Sequence, residues 1–253
     1  MIKPSTPTLR LALFASLCIS LWLPGCAFWT DEAPQDKPPQ VLRQLPLQFN
    51  AQDKSQWQAM RLPGKLLTAY RVAPQGPHDA LLAESASSAS MLRQALHIAP
   101  AQLGALHFDW RVERLIPGAD MRQRDAEDSP VRLILVFEGD RQGFSAKNNM
   151  LSELTLSLTG EPLPYATLMY VWCNHRPVES VIVNPRTDRI RKLVVESGPG
   201  RLKQWLRYER DIRADYEKAF GEPPGALVGL AIMTDTDNTQ SQARAWYGAI
   251  RLD

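Results

Sequence analysis

The stretch from 106 to 112 limits most what this chain can become. Leu106, Phe108, Trp110 and Val112 alternate there with His107, Asp109 and Arg111. A period of two puts the apolar side chains on one face of a strand and the polar ones on the other, so the segment is half-buried β-sheet. Residues 131–137 (Val-Arg-Leu-Ile-Leu-Val-Phe) are more uniformly apolar and predict a central strand. Further strands are expected over 65–72, 80–85, 166–173, 178–183, 192–196, 227–234 and 245–252. Most are separated by Gly, Pro or Asn clusters, as at 74–77, 148–149 and 199–200. One segment departs from this pattern. Trp205, Ile212, Tyr216 and Ala219 recur at helical spacing, and Gly221 with Pro223 and Pro224 supplies a stop, which predicts a helix over 202–220. Many short strands and one helix make the expected fold mainly β: an antiparallel two-sheet sandwich of jelly-roll type.

The N-terminus reads differently. Residues 1–10 carry Lys3 and Arg10 and no acid, and 11–23 are almost wholly apolar. A charged stretch before a short apolar core is the layout of a signal peptide. The run is shorter than the roughly 20 residues a permanent span needs. Leu23-Pro24-Gly25-Cys26 follows. It resembles the bacterial lipobox, which implies that 1–25 is removed and that Cys26 is acylated with palmitate-type chains. Ala27, rather than Asp, after the cysteine implies delivery to the outer membrane, facing the periplasm. Residues 26–46 then form the lipidated cysteine and a tether with Pro34, Pro38, Pro39 and Pro46. Proline fixes φ and removes a donor, so the tether is expected to be extended. Residues 47–253 form the single sandwich domain.

Cleavage changes the charge and the cysteine inventory. The chain has 29 basic and 27 acidic residues. Losing Lys3 and Arg10 from 29 leaves 27 against 27, so the mature chain is formally neutral. A nucleic-acid partner would call for a basic excess. Of three cysteines, Cys18 leaves with the signal and Cys26 becomes a thioether, so Cys173 stays without a disulfide partner. Stability must therefore come from the core.

The C-terminal third contains Trp205, Arg210-Asp211-Ile212, Asp215-Tyr216 and Phe220-Gly221-Glu222-Pro223-Pro224. It continues with Gly229-Leu230-Ala231-Ile232-Met233-Thr234 and Asp235-Thr236-Asp237-Asn238-Thr239. With Trp57, Tyr70, 87–92, Asp109-Trp110-Arg111, Arg132 and Tyr170-Val171-Trp172 upstream, this resembles a secreted bacterial family defined by domain of unknown function 3047. The resemblance implies the topology of carbohydrate-binding (galactose-binding-like) jelly rolls and no established activity. Gln240, where a glycine usually follows, and Ala249, where an acid usually stands, depart from the pattern.

Candidate sites are weighed against ordinary structural roles. Asp235, Asp237 and Asn238 offer three oxygen-bearing side chains in four residues, a ligand set for calcium. The spacing is not that of an EF-hand, and such a loop can equally bond its own backbone. Asp109 and Glu113 share the polar strand face about 13 Å apart, wide for a glycosidase pair, with Arg111 between them. If that face is concave, His107, Asp109, Arg111 and Arg132 line a polar ligand groove. Cys173 and His175 lie two apart with no group to orient the base, and the four histidines lack metal-ligand spacing. The five tryptophans after the tether fit core packing better than sugar stacking. The reading preferred is a membrane-anchored, non-catalytic ligand-binding domain whose ligand is a glycan, a cell-wall fragment or an envelope protein. The alternatives are a carboxylate-dependent saccharide hydrolase and a structural envelope-assembly protein.

Overall fold

A computed structural model of the chain describes residues 45–50, 57–73 and 79–253. The expected signal peptide, Cys26, most of the expected tether and the 74–77 turn signal lie outside the described residues.

Thirteen strands are described: β1 Leu47–Phe49, β2 Gln58–Arg61, β3 Ala69–Val72, β4 Leu81–Ala86, β5 Ala89–Ile98, β6 Ala105–Val112, β7 Ser129–Phe137, β8 Ala166–Cys173, β9 Val181–Val183, β10 Ile190–Ser197, β11 Trp205–Asp211, β12 Leu227–Asp235 and β13 Gln242–Leu252. Two helices interrupt them, α1 (Ala146–Thr159) and α2 (Ile212–Phe220). The strands form two sheets. One runs β11-β6-β13-β4-β3, with β1 also on β13, and the other runs β2-β5-β12-β7-β8-β10-β9. The fold is therefore the mainly β two-sheet sandwich that the strand pattern calls for. Pairing is antiparallel except between β8 and β10, which run parallel with the edge strand β9 between them in sequence.

Alternation decides which side chains enter the sandwich. Leu106, Phe108, Trp110 and Val112 of β6 are buried between the sheets, against Leu133, Tyr170, Trp172 and Ile232 of the facing sheet. Trp110 and Trp172 are fully buried, so both tryptophans are core. At roughly 25 cal/mol per Å² of apolar surface, this layer dominates the stability.

The helical segment differs from its expected extent. Trp205–Asp211 is a strand paired with β6, its Leu206 facing the core, and the helix starts only where the Asp211 side chain accepts from the Ala214 amide. Gly221 ends it in the left-handed region (φ 73°). A second helix, α1, was not foreseen. The Asn148-Asn149 pair, expected to be a turn, sits in its first turn, capped by the Ser145 side chain. Strand β5 was also missed; it follows a turn in which Ser85, Ser88 and Ser90 are buried.

Candidate functional site

The predicted site residues fall on opposite sides of the sandwich. Arg132, Asp235, Asp237 and Asn238 lie at the outer face of the seven-stranded sheet. His107, Asp109 and Arg111 lie on the outer face of the six-stranded sheet.

On the first face Arg132 of β7 stands next to β12. Its Nε and Nη2 hold both oxygens of Asp235, at 3.0 and 2.7 Å, and Nη2 also donates to the Glu127 carbonyl at 2.7 Å. The Glu127 carboxylate accepts from Lys192 Nζ (2.6 Å), Asn184 Nδ2 (2.8 Å) and Arg186 Nη1 (2.8 Å). Arg132, Lys192, Glu127 and Asp235 are all buried. Burial pushes the Asp235 carboxyl up to about 7 against the pull of Arg132. Burial, reinforced by Arg132, lowers Lys192 to about 8. A buried pair with its hydrogen bonds satisfied holds structure in place, and here it clamps the 113–128 loop to the sheet.

Oxygens of Asp128, Asp235 and Asp237 come within 4.8 Å of one another. They do not fit calcium well. Both Asp235 oxygens are taken by Arg132, and Asp237 pairs with Lys65. Asp128 accepts from the amides of Asn238 (3.2 Å) and Thr239 (2.7 Å) and from the Thr239 hydroxyl (2.6 Å). Asn238 points its Nδ2, a donor, at Asp128 (3.0 Å), so its amide bonds inward. A cation would have to displace Arg132 and Lys65.

The second face carries a cleft of about 260 Å³ lined by Gln48, His107, Phe108, Asp109, Arg207, Ala249 and Arg251. Strand register assembles it. Arg207 of β11 lies opposite Asp109 of β6, and Arg251 of β13 lies opposite His107. The register of β13 shifts between Tyr247 and Ile250, a bulge at Gly248-Ala249. A Cβ on Gly248 would sit 2.3 Å from Asp109 Oδ1, so only glycine lets that carboxylate lie over the strand. His107 Nε2 contacts Asp253 Oδ2 at 3.0 Å, and Arg251 Nη2 donates to the same oxygen at 2.8 Å. Arg111 is one step further along β6. Its Nε donates to the Lys203 carbonyl at 3.0 Å, and its guanidinium covers Trp246 at 4.4 Å, so it borders the cleft without lining it. Arg207, Arg251 and Gln48 were missed by sequence reasoning. Arg251 alternates with Ile250 and Leu252, a signal that was present; Arg207 was hidden by the overlong helix.

No curated protein matches the chain. Among solved structures, it is similar to the family 11 carbohydrate-binding module of a cellulosomal cellulase of Clostridium thermocellum. That match has 8% identity and a TM-score of 0.40, over 82% of this chain and 93% of that one. It is similar to a low-affinity xylan-binding module of Roseburia intestinalis at 11% identity and a TM-score of 0.33, over 83% and 96%. Endoglucanase 3 of Trichoderma harzianum, from family GH12, is similar at 9% identity and a TM-score of 0.40, over 81% and 88%. Likeness at this level says nothing about ligand or reaction. The sequence profile of one family matches residues 55–251, and the chain belongs to that family, described as protein of unknown function DUF3047.

Proposed function

We propose that this chain is an outer-membrane lipoprotein, anchored through Cys26, whose sandwich binds a saccharide in the cleft around Asp109. One observation carries the binding reading. Strand register gathers His107, Asp109, Arg207 and Arg251 from three adjacent strands around a glycine bulge. Polar groups fixed on strands are preorganised for recognition, and bulges often frame such sites. Two guanidinium groups, a carboxylate, an imidazole and the Gln48 amide supply donors and acceptors for sugar hydroxyls. The arginines also suit a sugar carboxylate held by two parallel hydrogen bonds.

Binding is favoured over hydrolysis by the placement of the acids. A two-carboxylate glycosidase needs a second acid within about 10 Å across the sugar, one of them with a raised pKa. Among the described residues lining the cleft Asp109 is the one acid, and the neighbouring Asp253 and Glu209 are already engaged by His107 and Arg251. The acid whose pKa is raised, Asp235, is buried on the other sheet and bonded to Arg132.

The test is a thermal-shift screen of residues 38–253 against neutral and acidic envelope saccharides. A ligand at a hundred times its Kd stabilises by about 2.7 kcal/mol. A saccharide-dependent rise that is lost in Asp109→Ala and Arg207→Ala supports the reading, and turnover of the same sugar would replace it with hydrolysis. Anchoring is tested separately by the mass of the mature N-terminus and by release of Cys26→Ala from the membrane fraction.

A further inference from the structure

The helix α1 is inside out. Its inward side carries Asn148, Ser152, Thr155 and Thr159, with Leu151 half-buried beside them, while Met150 (61% exposed), Leu154 (52%) and Leu158 (58%) form an i, i+4, i+8 stripe facing solvent. A surface helix ordinarily turns such a stripe toward the core. Two anchors hold this one in its reversed setting. At its start Asn148 Nδ2 donates to Asp188 Oδ1 (2.7 Å) and Asn148 Oδ1 accepts from the Thr187 hydroxyl (2.8 Å), in the β9–β10 turn. Just past its end Glu161 holds Arg93 of β5 at 2.6 and 2.7 Å. Arg93 lies beside Ala231, which packs with Ile134 and Met233 on the outer face of the seven-stranded sheet. Fourteen residues rise about 21 Å, and β10 to β5 spans four strand spacings, about 19 Å. The helix therefore crosses that face and presents its apolar stripe outward.

We infer that this stripe, with Leu66 and Leu67 beyond the cleft at its C-terminal end, is a docking face for a phospholipid bilayer. The inference rests on the lipoprotein reading for its proximity argument. Eighteen residues separate Cys26 from Leu45. At about 3.1 Å each they reach roughly 60 Å, so a bilayer stays at high effective concentration and weak contacts suffice. Among the described residues the exposed large apolar side chains are aliphatic: Leu66, Leu67, Met150, Leu154, Leu156, Leu158, Val178 and Val183. That suits shallow insertion, whereas protein interfaces centre on Trp, Tyr and Arg. Three or five such side chains also fall short of the roughly 800 Å² per partner that a stable dimer buries. The adjoining cleft of about 470 Å³ carries Arg61, Lys65 and Arg93 against Glu161. Counting Asp237, which pairs with Lys65, one positive charge remains in excess, complementary to anionic headgroups. Docked this way, the six-stranded sheet and its saccharide cleft point away from the bilayer.

The experiment uses the protein purified from membranes, with Leu154→Cys carrying a polarity-sensitive fluorophore; Cys173 is buried and escapes labelling. Glu209→Cys, on the outer face of the six-stranded sheet, is the control. With phosphatidylethanolamine–phosphatidylglycerol vesicles, the 154 label is expected to shift blue and be quenched severalfold by shallow nitroxide lipids, and the 209 label to stay unchanged. An unchanged 154 label on protein that floats with the vesicles overturns docking and leaves anchoring intact. A blue shift without vesicles that grows with protein concentration also overturns it, in favour of a second copy. If the N-terminus bears no acyl chain, the anchoring reading fails. Excess vesicles then replace the tether, and the 154 label still decides the docking claim.

Discussion

The two outer faces of this sandwich treat charge in opposite ways. On the seven-stranded sheet Arg132, Lys192, Glu127 and Asp235 are buried beneath the 113–128 loop, each oxygen and nitrogen engaged by a partner. On the six-stranded sheet Asp109, Arg207 and Arg251 stand on neighbouring strands around a cleft. Desolvated ions are costly to leave unpaired, so the first set behaves as a structural unit. The second set is part-buried or exposed, so a ligand can reach it without uncovering a sheet face. Ionisable residues on outer strand faces thus separate by what covers them: a loop makes a clamp, and solvent access leaves a candidate site.

The largest expected effect would break the clamp. Arg132→Met leaves the Asp235 and Glu127 carboxyls buried without their guanidinium, and should cost about 3–5 kcal/mol in urea unfolding. The double variant Arg132→Met with Asp235→Leu should recover much of that loss. Arg207→Ala should stay within about 0.5 kcal/mol of the parent while abolishing the saccharide response. Equal stability losses at both faces would erase the distinction.

Gly248→Ala disturbs the second face alone. Its methyl must push the Asp109 carboxylate out of its seat, because the gap is only 2.3 Å. Since a side chain can swing aside, about 1 kcal/mol of stability is expected to go. Saccharide affinity should fall more than tenfold.

Acid sets two groups against each other. Arg210, opposed by burial and helped by Lys218, holds the Glu179 carboxyl at about 2, below its ordinary 4.5. A depressed acid contributes stability above its unfolded pKa and loses it as pH falls, here from about 4.5 to 2. Asp235 has the opposite sign. Its folded pKa of about 7 exceeds 3.8, so its contribution is fullest below about 4 and is lost as pH rises to 7. Melting curves of Glu179→Gln should lack the first slope, and those of Asp235→Asn the second. The smallest effect concerns calcium. Because Arg132 and Lys65 already neutralise the acid group, melting should not change between excess calcium and a chelator.

Much of the fold was legible because the strands alternate cleanly. Residues 166–173 match β8 from end to end, and 106–112 miss β6 by one residue. The failures have physical causes. In α1 the Met150–Leu154–Leu158 stripe faces solvent instead of the core, and the two asparagines at its start read as a turn, so the segment was not marked as a helix. In 205–211 the alternation of Leu206 and Tyr208 was masked by aromatic residues at helical spacing further on. The candidate site was half legible: His107 and Asp109 came from β6 alone, while Arg207 and Arg251 depend on pairing with β11 and β13. Pairing between distant strands is not written in any one segment. Arg132 was expected to line a polar groove and Asp235 to belong to a calcium loop, and only the three-dimensional arrangement joins them to each other.

The most direct measurement is saccharide binding to the parent and to Asp109→Ala, followed by heteronuclear NMR of the backbone amides. The account predicts that a binding saccharide shifts resonances of β6, β11 and β13 around Asp109, Arg207 and Gly248, and that Asp109→Ala abolishes those shifts in a folded domain. Shifts confined to the Arg132–Asp235 region, or binding that survives Asp109→Ala unchanged, would contradict it.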